Sequence, residues 1–517
     1  MAFPNNNSNE RRRLIWHRRD LRLCDNELYS TTSTDENDRD TTVQIVPLYV
    51  INPDDFSPRP CSGENSWSTV SVGPHASRAL IEALKDLRAS LKSLGGDLLI
   101  RTGDPLDIIP AMAKTLNCTE VIWAEEPGTY EQLLSQRLKD AFQSGSSRCQ
   151  QQVSVQTVMG YTLYHPDDLP KDEMTWSRYA RPNEKQSKKQ KKQRRGPDLW
   201  CEHPVQQDQQ TTCVDVSTKR LEGMPRIMGD FRRAARAFAQ VRPIFCIEED
   251  EKIYFLSHSL EPGNLPTVDD LARFYSDVSL FGLPSSEILS VVEAAKEKSP
   301  NIYIAGENLA KATMEDFIRN YASTADRSLA DVSAHNSSRF STPLSTGALS
   351  PRQIYWRAKQ EPSGREWILH HLEMRDFFLY SAFFAGSRLF ARAGMPVRQR
   401  RNQKKKDSVK PTSIQWKEPR CNIDLFHSWT FGRIGLPLVD AGAREMMATG
   451  YCSNRVRQNM ASVLAKDLKL DWRIGAEWFQ FCLQDHCVGA NWGNWMYFGG
   501  VGSDPKVRGV KGSERDD

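Results

Sequence analysis

The chain has 517 residues, with 69 lysines and arginines against 65 aspartates and glutamates, and its formal net charge is only +4. A charge so close to balance excludes a protein whose whole surface coats nucleic acid, although it allows a local basic groove. The length suits two or three domains with a sizeable core, and the 11 cysteines form no C-x-x-C pair, which disfavours structural zinc and a disulfide framework.

The same features suggest a compartment. Scattered cysteines fit a reducing environment. The first residues, MAFPNNNSNERRR, contain no apolar signal core, and no run reaches the roughly 18 apolar residues of a membrane-spanning helix. We therefore expect an intracellular protein, nuclear or cytoplasmic, with a disordered N-terminal tail and no membrane partner.

The first 170 residues alternate short apolar runs with a helical pattern. The runs with the length and composition of buried parallel strands are 14–17, 42–51, 97–103, 120–126 and 153–160. Between the second and third runs, leucines recur every three or four residues from Leu80 to Leu94, and Gly95 can close this helix. The alternation predicts a doubly wound parallel sheet, although no G-x-G-x-x-G motif follows the first strand.

Two stretches are strongly basic and have no apolar period. NEKQSKKQKKQRRG (183–196) and RQRRNQKKK (398–406) are most simply solvated loops. Nuclear import or contact with nucleic acid are the alternative interpretations.

From about residue 266 onward the pattern is helical. Ser350 and Pro351 have the residue types of a helix start, and a second helix is expected from Pro437 to the glycine at 450. A third is expected over 453–470, where Val456, Met460, Val463 and Leu464 form the apolar stripe. This half is therefore predicted to be a helical domain.

The end of this half combines rings, small residues and polar edges. The stretch DHCVGANWGNWMYFGGVG (485–502) holds two tryptophans and five glycines, and Asn454 and Arg457 share one face of the preceding helix. Amide, guanidinium and carboxylate groups beside indole rings suit a planar cofactor with polar edges, and the glycines are expected to let the backbone approach its flat ring closely. Upstream, the hydroxyl-rich stretch 336–353 suits a phosphate.

The sequence resembles the photolyase/cryptochrome family, and most closely its cryptochrome DASH branch. The motifs are WHRRDLRLCDN near the start, SSRFSTPLSTGALSPRQ, MRDFF, the long stretch from GLPLVDAG to AEWF that contains SNRVRQ, and NWGNWMYFGGVGSDP. The resemblance implies an N-terminal α/β domain (11–170), a linker with a basic insertion (171–280), a helical FAD-binding domain (281–505) and a tail (506–517).

The resemblance also implies a set of FAD-binding residues. By position in the motifs they are Tyr321, Ser337, Ser338, Arg339, Phe340, Ser341, Arg375, Asp376, Asn454, Arg457, Asp485 and Asn491. The serines and Arg339 would contact the FAD phosphates, Arg457 and Asp485 would pair at the flavin edge, and Asn491 would face flavin N5. Trp495, Trp472 and Trp416 match the chain of tryptophans that carries electrons between flavin and surface. Glu126 matches the carboxylate that binds a folate antenna, 5,10-methenyltetrahydrofolate.

Three positions depart from the family pattern. His371 stands where a glutamate usually hydrogen-bonds the pyrimidine dimer, and Met374 stands where a tryptophan that stacks on the lesion is common. Cys487 replaces an aspartate near the flavin. These departures leave the FAD prediction intact but weaken the prediction of repair.

Two functions follow from the resemblance. The first is a light-driven lyase that splits cyclobutane pyrimidine dimers, preferentially in single-stranded DNA, with an electron from reduced flavin. The alternative is a blue-light photoreceptor in which the tryptophans photoreduce FAD and a partner protein receives the signal. We expect a monomer without a metal ion, and favour the lyase narrowly. A light-independent redox flavoprotein ranks third because no nicotinamide fingerprint is present.

Overall fold

The computed structural model describes most of the chain. The described residues are 10–30, 42–61, 64–143, 153–180, 221–247, 253–276, 278–297, 303–321, 337–361, 365–395 and 416–502. Both basic stretches, 183–196 and 398–406, and the predicted tail 506–517 lie outside these ranges.

The described strands form two sheets. Their bounds are β1 Glu10–His17, β2 Thr42–Ile51, β3 Arg59–Cys61, β4 Glu64–Thr69, β5 Leu99–Thr102, β6 Glu120–Ala124, β7 Ser154–Val158, β8 Ile253–Phe255, β9 Ser279–Leu280 and β10 Leu283–Pro284. The main sheet has the order β5-β2-β1-β6-β7, and every pairing in it is parallel. Strand β8 extends it by pairing with the first half of β2. The second, small sheet has the order β10-β9-β4-β3.

The main sheet carries helices on both faces because its strands are apolar on both sides. Ile15 and Ile122 face one layer and pack with helix residues such as Leu84, whereas Leu14 and Trp123 face the other layer. Successive strand residues point to opposite faces, so near-continuous apolar runs are what a doubly covered sheet requires. The five predicted strands and the doubly wound parallel sheet are confirmed.

The described helices occupy mainly the second half of the chain. The α-helices are α1 Pro74–Ser93, α2 Pro105–Thr115, α3 Thr129–Gln143, α4 Glu173–Ala180, α5 Met228–Phe238, α6 Val268–Ala272, α7 Ser285–Glu297, α8 Glu307–Asp316, α9 Ser341–Thr346, α10 Pro351–Lys359, α11 Arg365–Ala385, α12 Ile423–Thr430, α13 Pro437–Thr449, α14 Asn454–Ser462, α15 Trp472–Cys482 and α16 Val488–Gly499. The π-helical turns are Phe317–Tyr321 and Val463–Asp467. Among the described residues, no helix is long and apolar enough to cross a membrane, and no cluster of side chains could hold a metal ion.

The predicted helix ends follow local chemistry. Ser350 caps α10 in a capping box with Gln353, and Pro351 occupies its first turn. Ser453 caps α14, and Gly450 ends α13 in the left-handed conformation. Gly95 follows α1 with a φ of 86°, as predicted.

The segment 171–280, interpreted from sequence as a linker, contributes core residues from its described parts before 181 and after 220. Trp176 of α4 and Phe231 of α5 are fully buried and stack with ring centroids 6.0 Å apart. Helix α5 buries Phe231, Ala234 and Ala235 on one face and leaves its arginines outside. The described parts of this segment therefore build both the helical core and, through β8, the edge of the main sheet.

The turn after β1 joins the two halves of the molecule. The Leu21 amide donates to the Thr346 carbonyl, and the Arg22 guanidinium donates to the Gly347 carbonyl at 2.9 Å. Asp25 forms a buried ion pair with Arg352 at 2.9 Å. These contacts fix the α/β domain against the loop that precedes α10, next to the predicted phosphate-binding residues.

Candidate functional site

The centre of the site is a buried ion pair. Helix α14 starts at its Ser453 cap and carries Arg457 one turn later, while Asp485 lies between α15 and α16. The guanidinium donates to both carboxylate oxygens, at 3.0 and 2.9 Å, and Nε donates to the Cys452 carbonyl. The Asp485 side chain is 1% exposed and the Arg457 side chain 21%. Burial alone would lower the pKa of Arg457, but Asp485 raises it above its usual value, so the guanidinium stays charged.

Tyr451 connects this ion pair to the predicted phosphate loop. Its ring lies 5.1 Å from the Arg457 guanidinium and 5.6 Å from that of Arg339. Its hydroxyl is 2.5 Å from Ser337 Oγ, and burial raises its pKa. Sequence reasoning missed Tyr451. Its place two residues before the SNRVRQ motif was the available signal, but its contact with Arg339 is visible only in the fold.

The loop 337–341 is held in a special backbone conformation. Arg339 has a φ of 52°, in the left-handed region that side chains other than glycine seldom adopt. Its amide donates to Ser337 Oγ, and the Phe340 amide donates to Ser338 Oγ. Phe340 is buried edge-to-face on Phe317, so it anchors the loop in the core. Ser341 is exposed at the first position of α9.

Tyr321 and Asn454 lie at element ends. Tyr321 is the last residue of the π-helical turn Phe317–Tyr321. Asn454 is the exposed first residue of α14, three residues before Arg457. Asn454 therefore lies on the same helix as Arg457, about one turn before it.

Arg375 and Asp376 both contact backbone groups. Arg375 donates to the carbonyls of Tyr161 and Leu344, which ties the end of the α/β domain to α9. Asp376 is fully buried, and its two oxygens accept from the amides of Leu163 and Tyr164. Burial raises the pKa of Asp376 to about 7, despite these donors. The contacts described for both residues therefore join α11 to the end of the α/β domain, and Arg375 also joins it to α9.

Asn491 is fixed by helix α15. Its Nδ2 donates to the Ala476 carbonyl at 2.9 Å, and the side chain is half-buried. Because a carbonyl can only accept, the amide group faces α15 and Oδ1 is the atom directed elsewhere.

Three glycines of the stretch 485–502 have a structural role that differs from the predicted one. A Cβ on Gly489 would lie 2.8 Å from the Phe378 carbonyl oxygen, and one on Gly493 would lie 2.5 Å from the Phe378 ring. A Cβ on Gly499 would lie 3.2 Å from the Trp472 ring. These glycines let α16 approach α11 and Trp472 closely, so the expectation that they admit the flavin is corrected.

The three predicted relay tryptophans are all buried. Trp495 is 2% exposed, and its ring lies edge-to-face on Phe479 at 5.0 Å and on Trp429 at 6.1 Å. Trp472 is fully buried and its Nε1 donates to the Arg392 carbonyl, while the Arg392 guanidinium donates to the Trp416 carbonyl. Trp416, at 8%, is the most exposed of the three.

A further tryptophan lies beside this group. Trp492 is buried with its ring centroid 5.8 Å from that of Trp472, and its Nε1 donates to Gln480 Oε1 at 3.2 Å. It belongs to the NWGNW motif, but no role was predicted for it. Its position in the motif, one helical turn before Trp495, was the available signal.

His371 lies on α11 beside another ring. Its Nδ1 donates to the Trp367 carbonyl at 2.8 Å, and the two ring centroids are 4.5 Å apart. With the proton on Nδ1, the other nitrogen of the neutral ring is an acceptor, and it donates only when the ring is protonated. Met374, one turn further along, is half-buried.

Glu126 belongs to a separate polar group at the carboxyl end of the main sheet. It is 9% exposed and pairs with Arg18 at 2.9 Å and Arg19 at 3.3 Å. Burial nevertheless raises its pKa, and burial raises the pKa of nearby Asp55 to about 7. Glu126 is therefore not an exposed surface carboxylate.

The chemistry of these residues fits FAD. Arg339 and the hydroxyls of Ser337 and Ser338 supply a cation and hydroxyl donors of the kind that bind a pyrophosphate. The Arg457–Asp485 pair places charged donors and acceptors in a mostly buried setting, where the edge of a polar ring would meet them. Arg339 also holds a strained backbone conformation, of the kind that is concentrated at functional sites.

Comparisons with known families agree with this site. Residues 13–207 match the DNA photolyase family, and residues 368–511 match the FAD binding domain of DNA photolyase. The second match contains the Arg457–Asp485 pair and Asn491.

The similarity to known relatives and to solved structures covers nearly the whole chain. The chain is 31% identical to cryptochrome DASH of Danio rerio over 95% of this chain and 77% of that protein. Cryptochrome DASH of Gloeobacter violaceus is 30% identical over 95% of this chain and 80% of its own length. The crystal structure of a Synechocystis cryptochrome superposes with a TM-score of 0.63 at 25% identity, covering 95% of this chain and 82% of that one. The chain therefore belongs to the photolyase/cryptochrome family, among the cryptochrome DASH proteins.

Proposed function

We propose that the protein is a light-driven lyase that splits cyclobutane pyrimidine dimers, preferentially in single-stranded DNA. When bound and reduced, FAD supplies the light absorption and the electron that opens the cyclobutane ring. The protein binds the cofactor, orients the dimer and excludes water. Taking the dimer from single-stranded DNA avoids an unpairing cost of roughly a few kcal/mol.

The orientation of the Asn491 side-chain amide is the main support for this proposal. Because Nδ2 donates to the Ala476 carbonyl, Oδ1 can accept a hydrogen bond from an N–H group of a reduced cofactor. A carboxylate in the same place would have to bind a proton before it could face the Ala476 carbonyl. A neutral, anchored amide therefore favours the reduced cofactor that a lyase needs.

The rings of Trp367 and His371 support binding of a flipped-out base. Aromatic rings stack on bases of any sequence, and such stacking is typically worth about 1–3 kcal/mol per base. Trp367 is half-buried, and His371 lies against it at 4.5 Å. Protonated His371 would donate a hydrogen bond to a dimer carbonyl, which stabilises negative charge as it develops there.

We also propose that Glu126 binds a folate antenna. Its burial among two arginines, with a raised pKa, is unlike that of an ordinary surface carboxylate. A carboxylate that holds a proton readily can donate to a ring nitrogen or accept from an amino group of a pterin. Extraction of the chromophores from the protein, with Glu126→Gln as the comparison, tests this assignment.

The photoreceptor is the second candidate, and the tethered His371 favours it. While the ring is neutral its Nε2 accepts, so it would stabilise dimer carbonyls less well than the usual glutamic side chain. In this alternative Trp495, Trp472 and Trp416 reduce the flavin in light, and a partner protein reads the changed surface. For either function we propose a monomer in the nucleus or cytoplasm.

A repair assay tests the lyase directly. The protein, with its flavin reduced chemically beforehand, is illuminated with dimer-containing oligonucleotides, single-stranded and duplex. We expect dimer loss to be faster in the single strand and absent in the dark. Trp416→Phe is the matched control, because it should repair like the parent when the flavin is already reduced. If the parent repairs neither substrate, the lyase is refuted and the photoreceptor takes its place.

A further inference from the structure

Cys24 and Cys246 bring two sulfur atoms together from distant parts of the chain. Their Sγ atoms are 2.8 Å apart, whereas a disulfide bond is about 2.05 Å long. Both residues are half-buried. A small movement of the side chains is therefore enough to bring the sulfurs to bonding distance.

The backbone on both sides of this pair is held in place. The amides of Leu23 and Cys24 donate to the two oxygens of the buried Glu307, at 2.7 and 3.1 Å. The Asp25 amide donates to the Phe245 carbonyl, so the residues next to each cysteine are already joined. The two thiols are thus neighbours because of the fold, and closing the bond requires little rearrangement.

A cavity gives small molecules access to the sulfurs. It has a volume of about 320 Å³, and its lining includes Cys24, Cys246, Glu307 and Lys311. Burial alone would lower the pKa of Lys311, but Glu307 and the two sulfurs raise it above its usual value. The Lys311 ammonium group pairs with Glu307 at 2.7 Å and lines the same cavity as the two sulfurs, so a cation is present where a thiol would be attacked or would attack.

We propose that Cys24 and Cys246 are a redox modification site that forms a reversible disulfide by exchange with glutathione disulfide. One protein thiolate attacks a sulfur of glutathione disulfide, which forms a mixed disulfide and releases one glutathione thiolate. The second cysteine then attacks the protein sulfur of the mixed disulfide and releases the second glutathione. The protein dithiol loses two electrons and two protons, and glutathione disulfide becomes two molecules of glutathione.

The bond would act on the joint between the two domains. Cys24 lies in the turn whose neighbours Leu21 and Arg22 bind the carbonyls of Thr346 and Gly347, a few residues after the loop 337–341. Cys246 follows α5, which packs against α11 through the bonds from Arg232 to Glu373. A disulfide would link the turn that contacts Thr346 and Gly347 to the segment that follows α5. It would therefore restrict movement of that turn.

Redox titration of the full-length protein tests the site. The protein is equilibrated in glutathione buffers of stepwise oxidising strength, quenched with a maleimide and digested without reductant. We expect a single cross-linked peptide pair containing Cys24 and Cys246, lost completely in Cys24→Ser and in Cys246→Ser. Cys421→Ser, which removes an exposed cysteine elsewhere, should keep it. The oxidised parent should also unfold a few degrees higher than the reduced parent, and the two serine variants should show no such shift.

Three results would overturn the proposal. Alkylation of both cysteines at every redox step would show that the pair stays reduced. Alternatively, glutathione adducts on either cysteine could accumulate without the cross-linked peptide, which would show that the second exchange does not occur. A cross-link between other cysteines in the parent would count against the site in the same way.

Discussion

Removing the carboxylate of the central ion pair should destabilise the helical domain strongly. Asp485→Asn takes away the charge that balances Arg457, together with one of two hydrogen bonds of 2.9 and 3.0 Å. Leaving an unbalanced buried charge typically costs 3–5 kcal/mol. Because the Arg457 side chain is 21% exposed and water can partly solvate it, we expect the low end of that range, about 3 kcal/mol.

The measurement is denaturant unfolding of the flavin-free protein, followed by helix content. Asp467→Asn is the matched control, since it neutralises an exposed carboxylate of the same domain and should change the unfolding free energy by no more than about 0.5 kcal/mol. The double variant Arg457→Met with Asp485→Leu should recover most of the stability, because an apolar pair leaves no buried charge. If FAD is then added, the double variant should still fail to bind it, which separates the role in binding from the role in folding. Equal unfolding free energies for Asp485→Asn and Asp467→Asn would refute the reasoning.

Further predictions concern the relay, the helix contact and two titratable groups. Trp495→Phe should keep FAD bound but slow photoreduction of oxidised flavin at least tenfold, as followed by absorbance under blue light with a reductant; an unchanged rate would mean that another residue donates. Gly489→Ala should cost about 1–3 kcal/mol, because the new Cβ meets the Phe378 carbonyl oxygen at 2.8 Å, whereas Gly229→Ala, with no atom within 4 Å, should be neutral or slightly stabilising in the same unfolding assay. The rate of repair of single-stranded substrate should rise as pH falls from about 8 toward 6. His371→Glu should raise the rate at pH 8 and make it less dependent on pH. A parent rate that does not change with pH would exclude a role for protonated His371 in repair. Because burial raises the pKa of Asp376 to about 7, the folded state keeps a proton that the unfolded state has lost, so the parent should lose unfolding free energy as pH rises from about 4 to 7. Asp376→Asn should show a smaller loss over that range, and identical slopes would argue against the raised pKa.

Local sequence patterns were sufficient to predict the strands and helices named below and the residues at which the helices begin. The apolar runs at 42–51 and 120–126 became neighbours of β1 in the parallel sheet, and the caps at Ser350 and Ser453 lie where the residue types predicted. Such features depend on residues close together in sequence, so period and capping chemistry reveal them.

The glycines of the last helix show where local reasoning failed. Their number predicted that a flat ligand could approach the backbone closely. Gly489 and Gly493 instead lie against Phe378, and Gly499 lies against Trp472. A glycine signals that something approaches closely, and sequence cannot say whether it is a cofactor or another helix. The same limit applies to Tyr451, whose two arginine neighbours come from separate parts of the chain.

Arg19 illustrates why part of the site could not be predicted from sequence. In the motif WHRRDLRLCDN it is one arginine among several, with no local feature that distinguishes it. In the fold its Nε pairs with Glu126, and its Nη1 donates at 2.9 Å to the carbonyl of His486, which is 467 residues away. His486 adjoins Asp485, so one side chain bonds both to the carboxylate proposed for the antenna and to the backbone beside the Arg457–Asp485 ion pair. The distance between the two sites is therefore fixed by a contact between domains, and only the packing of those domains reveals it.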